Sequence, residues 1–131
     1  MPTDKQLERI VLKDITTKEE YVLYERGEPQ YTEFYIGTDK NKCQAVLPRV
    51  DGGGKRFKPI QATLTYSGRE GGFKIKAKGK KKNAHITRHI QETNNFETIG
   101  IKRETLLEDE DSVFLRGYGF FYCEQGEVKG E

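Results

Sequence analysis

The feature that most limits what this chain can fold into is its cadence. Short β-branched and aromatic runs, from RIVLKDI and YVLYE through TEFYIG, CQAVLP, QATLTYS and GFKIKAK to HITRHI, FETIGIK, SVFLRG and GFFYCE, are separated by polar, Gly- or Pro-bearing segments. Strand signals at about ten-residue spacing with turns between them predict a β-sandwich or barrel. The one helix-like stretch, TDKQLERIVL, has a cap in Thr3 but only a weak apolar face. The expected fold is therefore all-β, a two-sheet sandwich of about ten or eleven strands.

Alternation sets the expected core. QATLTYS places Ala62, Leu64 and Tyr66 on one face, and GFKIKAK turns Phe73, Ile75 and Ala77 inward and its lysines outward. The same reasoning puts Phe34, Ile36, Val46, Val113, Leu115 and Phe121 in that core. With 131 residues the chain holds one domain. Its expected limits are an N-terminal segment and first strand over 1–20, a sandwich over 21–123 and a frayed tail over 124–131.

Charge excludes some functions. The 23 basic and 21 acidic residues leave a net charge of +2, so any polyanion partner must be held by local clustering. Cys43 and Cys123 lie far apart, match no metal spacing and read as small buried hydrophobes. No segment has the apolar length of a membrane span, and the default expectation is a cytoplasmic protein without a membrane partner.

The densest cluster is KIKAKGKKK, six lysines between residues 74 and 82. Lys74, Lys76 and Lys78 alternate, which fits the wet face of an edge strand. Lys80, Lys81 and Lys82 fit a solvated turn, an acidic or phosphorylated protein partner, or nucleic acid. No aromatic residue lies between Lys74 and Arg88 to stack on bases, which tells against the last. The acidic run Glu108–Asp111 lacks the alternating ligands of a calcium loop and reads as a turn. His85 and His89 have no third ligand nearby, and no serine or cysteine has a partnering base. Hence no catalytic residue, metal or cofactor is expected.

Taken in order, YIGTDKNKCQAVLP, PIQATLTY, GGFKIKAK, KKNAHITR and LLEDEDSVFLRGYGFFY resemble a forkhead-associated (FHA) domain over residues 21–122. The closing segment is the most specific, with Leu107, Asp111, Val113, Leu115, Gly117 and Phe121 at the family's spacing. The resemblance implies an adaptor that binds a protein partner through one loop end of a β-sandwich. It also implies that the phosphothreonine-reading positions are largely replaced. Gly37 matches, but Thr38 stands where a phosphate-binding arginine is usual, Lys58 replaces the serine, and Gln61 replaces the histidine. Asn83 matches the residue that holds the peptide backbone, and Glu110 replaces a glycine. The implied partner site gathers Thr38, Arg56, Lys58, Lys81, Lys82, Asn83 and Arg88, with weakened or lost phosphothreonine dependence. The alternative is a nucleic-acid-binding β-domain using Lys74–Lys82.

Overall fold

A computed structural model describes residues 6–77, 84–101 and 104–127. Lys78 to Asn83 lie outside the described residues. Twelve strands are present among those described. Their order is β1 Gln6–Asp14, β2 Glu20–Glu25, β3 Glu28–Pro29, β4 Glu33–Gly37, β5 Ala45–Val46 and β6 Ala62–Ser67, then β7 Gly72–Ala77, β8 Ala84–Ile90, β9 Asn95–Gly100, β10 Thr105–Leu106, β11 Asp111–Leu115 and β12 Tyr118–Glu127. They form a seven-stranded sheet, β3-β2-β1-β12-β11-β8-β9, and a five-stranded sheet, β10-β7-β6-β4-β5. This is the expected two-sheet all-β architecture.

Tight turns carry much of the connectivity. β1 and β2 form a hairpin whose turn is held by Asp14, itself buried at 3% exposure. One carboxylate oxygen accepts the Thr16 and Thr17 N–H groups, and the other accepts the Tyr118 hydroxyl at 2.6 Å. The carboxylate is thus satisfied by three donors, as a buried charge must be. Between β2 and β3, Arg26 and Gly27 both have positive φ, 52° and 88°, the geometry of a two-residue hairpin turn.

The two sheets meet across one core. Ile10, Leu12, Leu23, Ile86, Leu115 and Phe120 come from the large sheet, and Phe34, Ile36, Leu64, Phe73 and Ile75 from the small one. Full burial of side chains of this size stabilises by roughly 1.5–3 kcal/mol each. The phases expected for β4, β6, β7 and β11 hold.

Two expected core residues do not belong there. Val46 is exposed, because β5 pairs in parallel with β4 and turns Ala45 inward, with Leu47 beyond it. Phe121 is only half-buried; β12 pairs Val113 with Phe120 and Ser112 with Phe121, which points Phe120 and Tyr122 inward and Phe121 out. Both misreadings fall in unbroken apolar runs, Ala45–Leu47 and Phe120–Cys123, where alternation gives no phase. In each case a strand partner decides it.

Three further readings change. Residues 124–127 are the end of β12 rather than a tail, paired with the start of β1. β7 is an inner strand, since β10 pairs with it at Ile75 and Lys74. Lys74 and Lys76 nevertheless leave the sheet on its outer side, and Lys74 meets Glu70 at 3.3 Å. Cys43 is buried with its thiol against the Pro59 carbonyl, whereas Cys123 is half-buried on β12 opposite Val11.

Candidate functional site: the loop end of the sandwich

β4 ends at Gly37, and a side chain there is impossible without movement. A Cβ would sit 2.1 Å from the Pro59 carbonyl oxygen. Glycine lets the 57–61 segment approach and lock against the turn after β4. Thr38 and Asp39 donate their N–H groups to the carbonyls of Lys58 and Pro59, and Gln61 donates its own to Ile36. The buried Gln61 side chain then accepts the Lys58 N–H at 2.8 Å. Thr38 and Lys58 are thereby neighbours, although twenty residues apart.

The glycine-rich loop beside them is built on Asp51. Its carboxylate accepts the N–H groups of Gly53 and Lys55, and Gly54 takes a left-handed φ of 82°. These backbone donors, first that of Lys55, together with the Arg116 guanidinium, hold the Asp51 carboxyl below its usual value. Arg116 pairs with Asp51 at 2.9 Å, donates to the Arg56 carbonyl at 2.6 Å and covers the Phe57 ring at 5.4 Å. Phe57, 5% exposed, packs edge-on against Tyr118.

Phe57 separates two hollows. One of about 370 Å³ is lined by Thr38, Arg49, Arg56, Phe57 and Pro59. The other, about 280 Å³, runs between the glycine loop and the Arg116–Gly117 turn. Arg49, Lys55, Arg56 and Lys58 are all exposed, and among the described residues none is in an ion pair. Arg116, by contrast, is fully committed.

Of the residues expected at this site, the structure brings together Thr38, Arg56 and Lys58. Lys81, Lys82 and Asn83 lie outside the described residues. Arg88 is not at this end. It donates through Nε and Nη2 to both oxygens of the fully buried Asp111, pairs with Glu108 at 3.0 Å and reaches the Leu106 carbonyl. β11 runs from Asp111 beside Arg88 to Leu115 beside Ala84, so this network lies at the far end from Arg116. Hydrogen bonding to Asp111 raises the Arg88 pKa further, against the opposing effect of burial. Arg88 is a structural tie, and the acidic turn it holds is only partly solvated.

Sequence reasoning passed over Asp51, Phe57 and Arg116, which shape this end. A signal was available for the first: aspartate before consecutive glycines is the signature of a turn closed by its own carboxylate. The pairing of Arg116 with Asp51 carried none, the two being 65 residues apart.

No family model and no curated protein sequence matches this chain. Solved structures do. The FHA domain of CT664 from Chlamydia trachomatis superposes with a TM-score of 0.64 at 16% identity, over 91% of this chain and 100% of that one. Mycobacterium tuberculosis EmbR, solved with a low-affinity phosphopeptide, gives 0.63 at 16% identity over 94% of this chain, which spans 26% of EmbR. The FHA domain of an Arabidopsis thaliana hypothetical protein gives 0.60 at 12% identity over 95% of this chain and 92% of that one. Over most of its length, this chain has the forkhead-associated fold.

Proposed function

We propose that the protein is a non-enzymatic interaction module whose loop end binds an acidic segment of a protein partner with little dependence on phosphothreonine. One observation carries the reading. Arg49 and Arg56 line the same hollow as Thr38, exposed and without a carboxylate partner among the described residues, while the neighbouring Arg116 is consumed by Asp51. Guanidinium groups offer forked donors to carboxylate or phosphate oxygens, and Lys58 adds a point charge.

Weak phosphate selectivity follows from Thr38 and Lys58. Neither supplies the charge-assisted and hydroxyl hydrogen bonds implied at those positions by the resemblance. Each such loss costs roughly 1.5–3 kcal/mol, so two together weaken a phosphopeptide by about two orders of magnitude or more.

The test is a titration of matched acidic, phosphothreonine and neutral peptides, followed by amide shifts. Acidic and phosphorylated peptides are expected to perturb Thr38, Arg56 and Lys58, with affinities within about tenfold of each other. A micromolar complex that requires the phosphate would overturn the weak dependence. Preference for an oligonucleotide, with affinity collapsing as salt rises, would instead favour a nucleic-acid partner.

A further inference from the structure

β9 is the outermost strand of the large sheet, and among the described residues nothing pairs with its outer side. Its backbone phase can be worked out. Ile101 donates its N–H to the Ala84 carbonyl, and the register pairs Gly100 with His85 and Glu97 with Arg88. In an antiparallel ladder hydrogen-bonded pairs alternate, so Asn95, Glu97 and Ile99 face β8. The N–H and C=O groups of Phe96, Thr98 and Gly100 therefore point to the open edge. Every residue of β9 except Ile99 is exposed. Gly100 has open space where a side chain would be.

The side chains on this edge are not those of a guarded one. Phe96 is 69% exposed, its ring propped by His89 at 5.0 Å, and Asn94 holds the His89 ring in turn. Its neighbour Glu97 leaves the strand on the opposite face. There Glu92, Glu97, Glu108 and Asp109 line a hollow of about 410 Å³. The cation in that hollow, Arg88, is already held by Asp111 and Glu108.

We infer that the open edge of β9 binds an extended basic segment of a protein partner by strand addition. Backbone groups of Phe96, Thr98 and Gly100 extend the ladder onto the incoming strand. Because side chains alternate, that strand sets apolar residues beside Phe96 and lysines or arginines toward Glu97 and the acidic hollow. A second copy of this chain is the poorer occupant. Two β9 strands would bring Glu92 and Glu97 of both copies to one seam, and like charges across a ladder are destabilising.

The test uses the whole chain and two seven-residue peptides, one alternating lysine with valine and one alternating glutamate with valine. The lysine peptide should shift and protect the amides of Phe96, Thr98 and Gly100, and the glutamate peptide should not. Thr98→Pro removes an outward donor without touching the β8 ladder, a position where a sheet tolerates proline. It should weaken the lysine peptide by about tenfold or more. E92K with E97K should weaken it as well, whereas R56E, at the opposite end, should leave it unchanged. Absence of β9 shifts at peptide concentrations up to about 1 mM would overturn the inference. So would binding that Thr98→Pro leaves intact, or a concentration-dependent dimer formed through β9.

Discussion

The two ends of the sandwich each carry an arginine–carboxylate pair, and the pairs do different work. At the far end, Arg88 grips Asp111 with two donors, and the carboxylate is wholly buried between β8, β10 and β11. Asp111 spends its remaining capacity on the Glu108 N–H and so closes the turn into β11. At the loop end, Arg116 and Asp51 are half-buried and order a glycine-rich loop. The difference lies in what surrounds each pair. Glu108 supplies a second anion for Arg88, whereas the loop-end cations Arg49, Lys55, Arg56 and Lys58 stand exposed and outside any ion pair among the described residues. A cation's role here follows from the carboxylates that the fold brings within reach, and linear clustering in the chain does not reveal them.

The comparison is broken most severely at Arg88. R88A leaves Asp111 buried without its counter-charge, a loss of about 3 kcal/mol or more. Denaturant unfolding should show it as a lowered midpoint with an unchanged slope. Exchanging both partners for apolar residues of similar size, Arg88→Met with Asp111→Leu, should recover part of that stability. Recovery is expected because the cost lies in the orphaned charge rather than in the lost attraction. If R88A proves neutral, the far-end pair is no tie and the contrast between the ends disappears.

Much of this fold was legible in the sequence, and the failures share a cause. β6 and β7 alternate cleanly, so their inward faces could be assigned without a structure. Val46 and Phe121 sit in unbroken apolar runs, where phase is set by a strand from elsewhere in the chain. The loop end was legible through Gly37, which matches the family pattern, and through Thr38 and Lys58, which the resemblance placed there although they depart from it. Arg88 was misplaced because it follows the lysine cluster closely in sequence. Four residues of strand from Ala84 to Arg88 nevertheless carry it about 13 Å toward the opposite end.

Strong acid should loosen the loop end. The Asp51 carboxyl is held below its usual value of 3.8, so its ordering effect is fully present above that value. It is lost as the pH falls through 3.8 toward the lowered folded-state value. Below about pH 4, the amides of Gly53 and Lys55 should lose protection together. Uniform loss across the molecule in that range would mean that the Asp51 loop is not a separate unit.

A smaller and opposite effect is expected at Glu110, in the far-end turn. Its φ of 67° is left-handed, a conformation that costs a residue with a side chain roughly 1 kcal/mol relative to glycine. The turn is imposed by Asp111, whose N–H bonds Glu108 and whose carboxylate accepts in return. E110G should therefore stabilise the protein by about 0.5–1 kcal/mol, part of the gain being offset by the greater freedom of glycine in the unfolded chain. Destabilisation would show that the Glu110 side chain supports the turn.

The smallest change in stability should come from the largest change in charge at the other end. R56E combined with K58E reverses two exposed cations that make no ion pair among the described residues, and the Arg56 carbonyl that Arg116 uses is untouched. Such substitutions usually move stability by no more than about 0.5 kcal/mol. The thermal midpoint should therefore stay nearly fixed while acidic-peptide binding at the loop end is lost. The paired measurement separates two explanations for unbound cations, a surface kept soluble and a surface kept open for a partner. Solvation alone predicts no change in either quantity. An open site predicts loss of binding without loss of fold, the reverse of what R88A should show: loss of fold stability with the loop-end residues still in place.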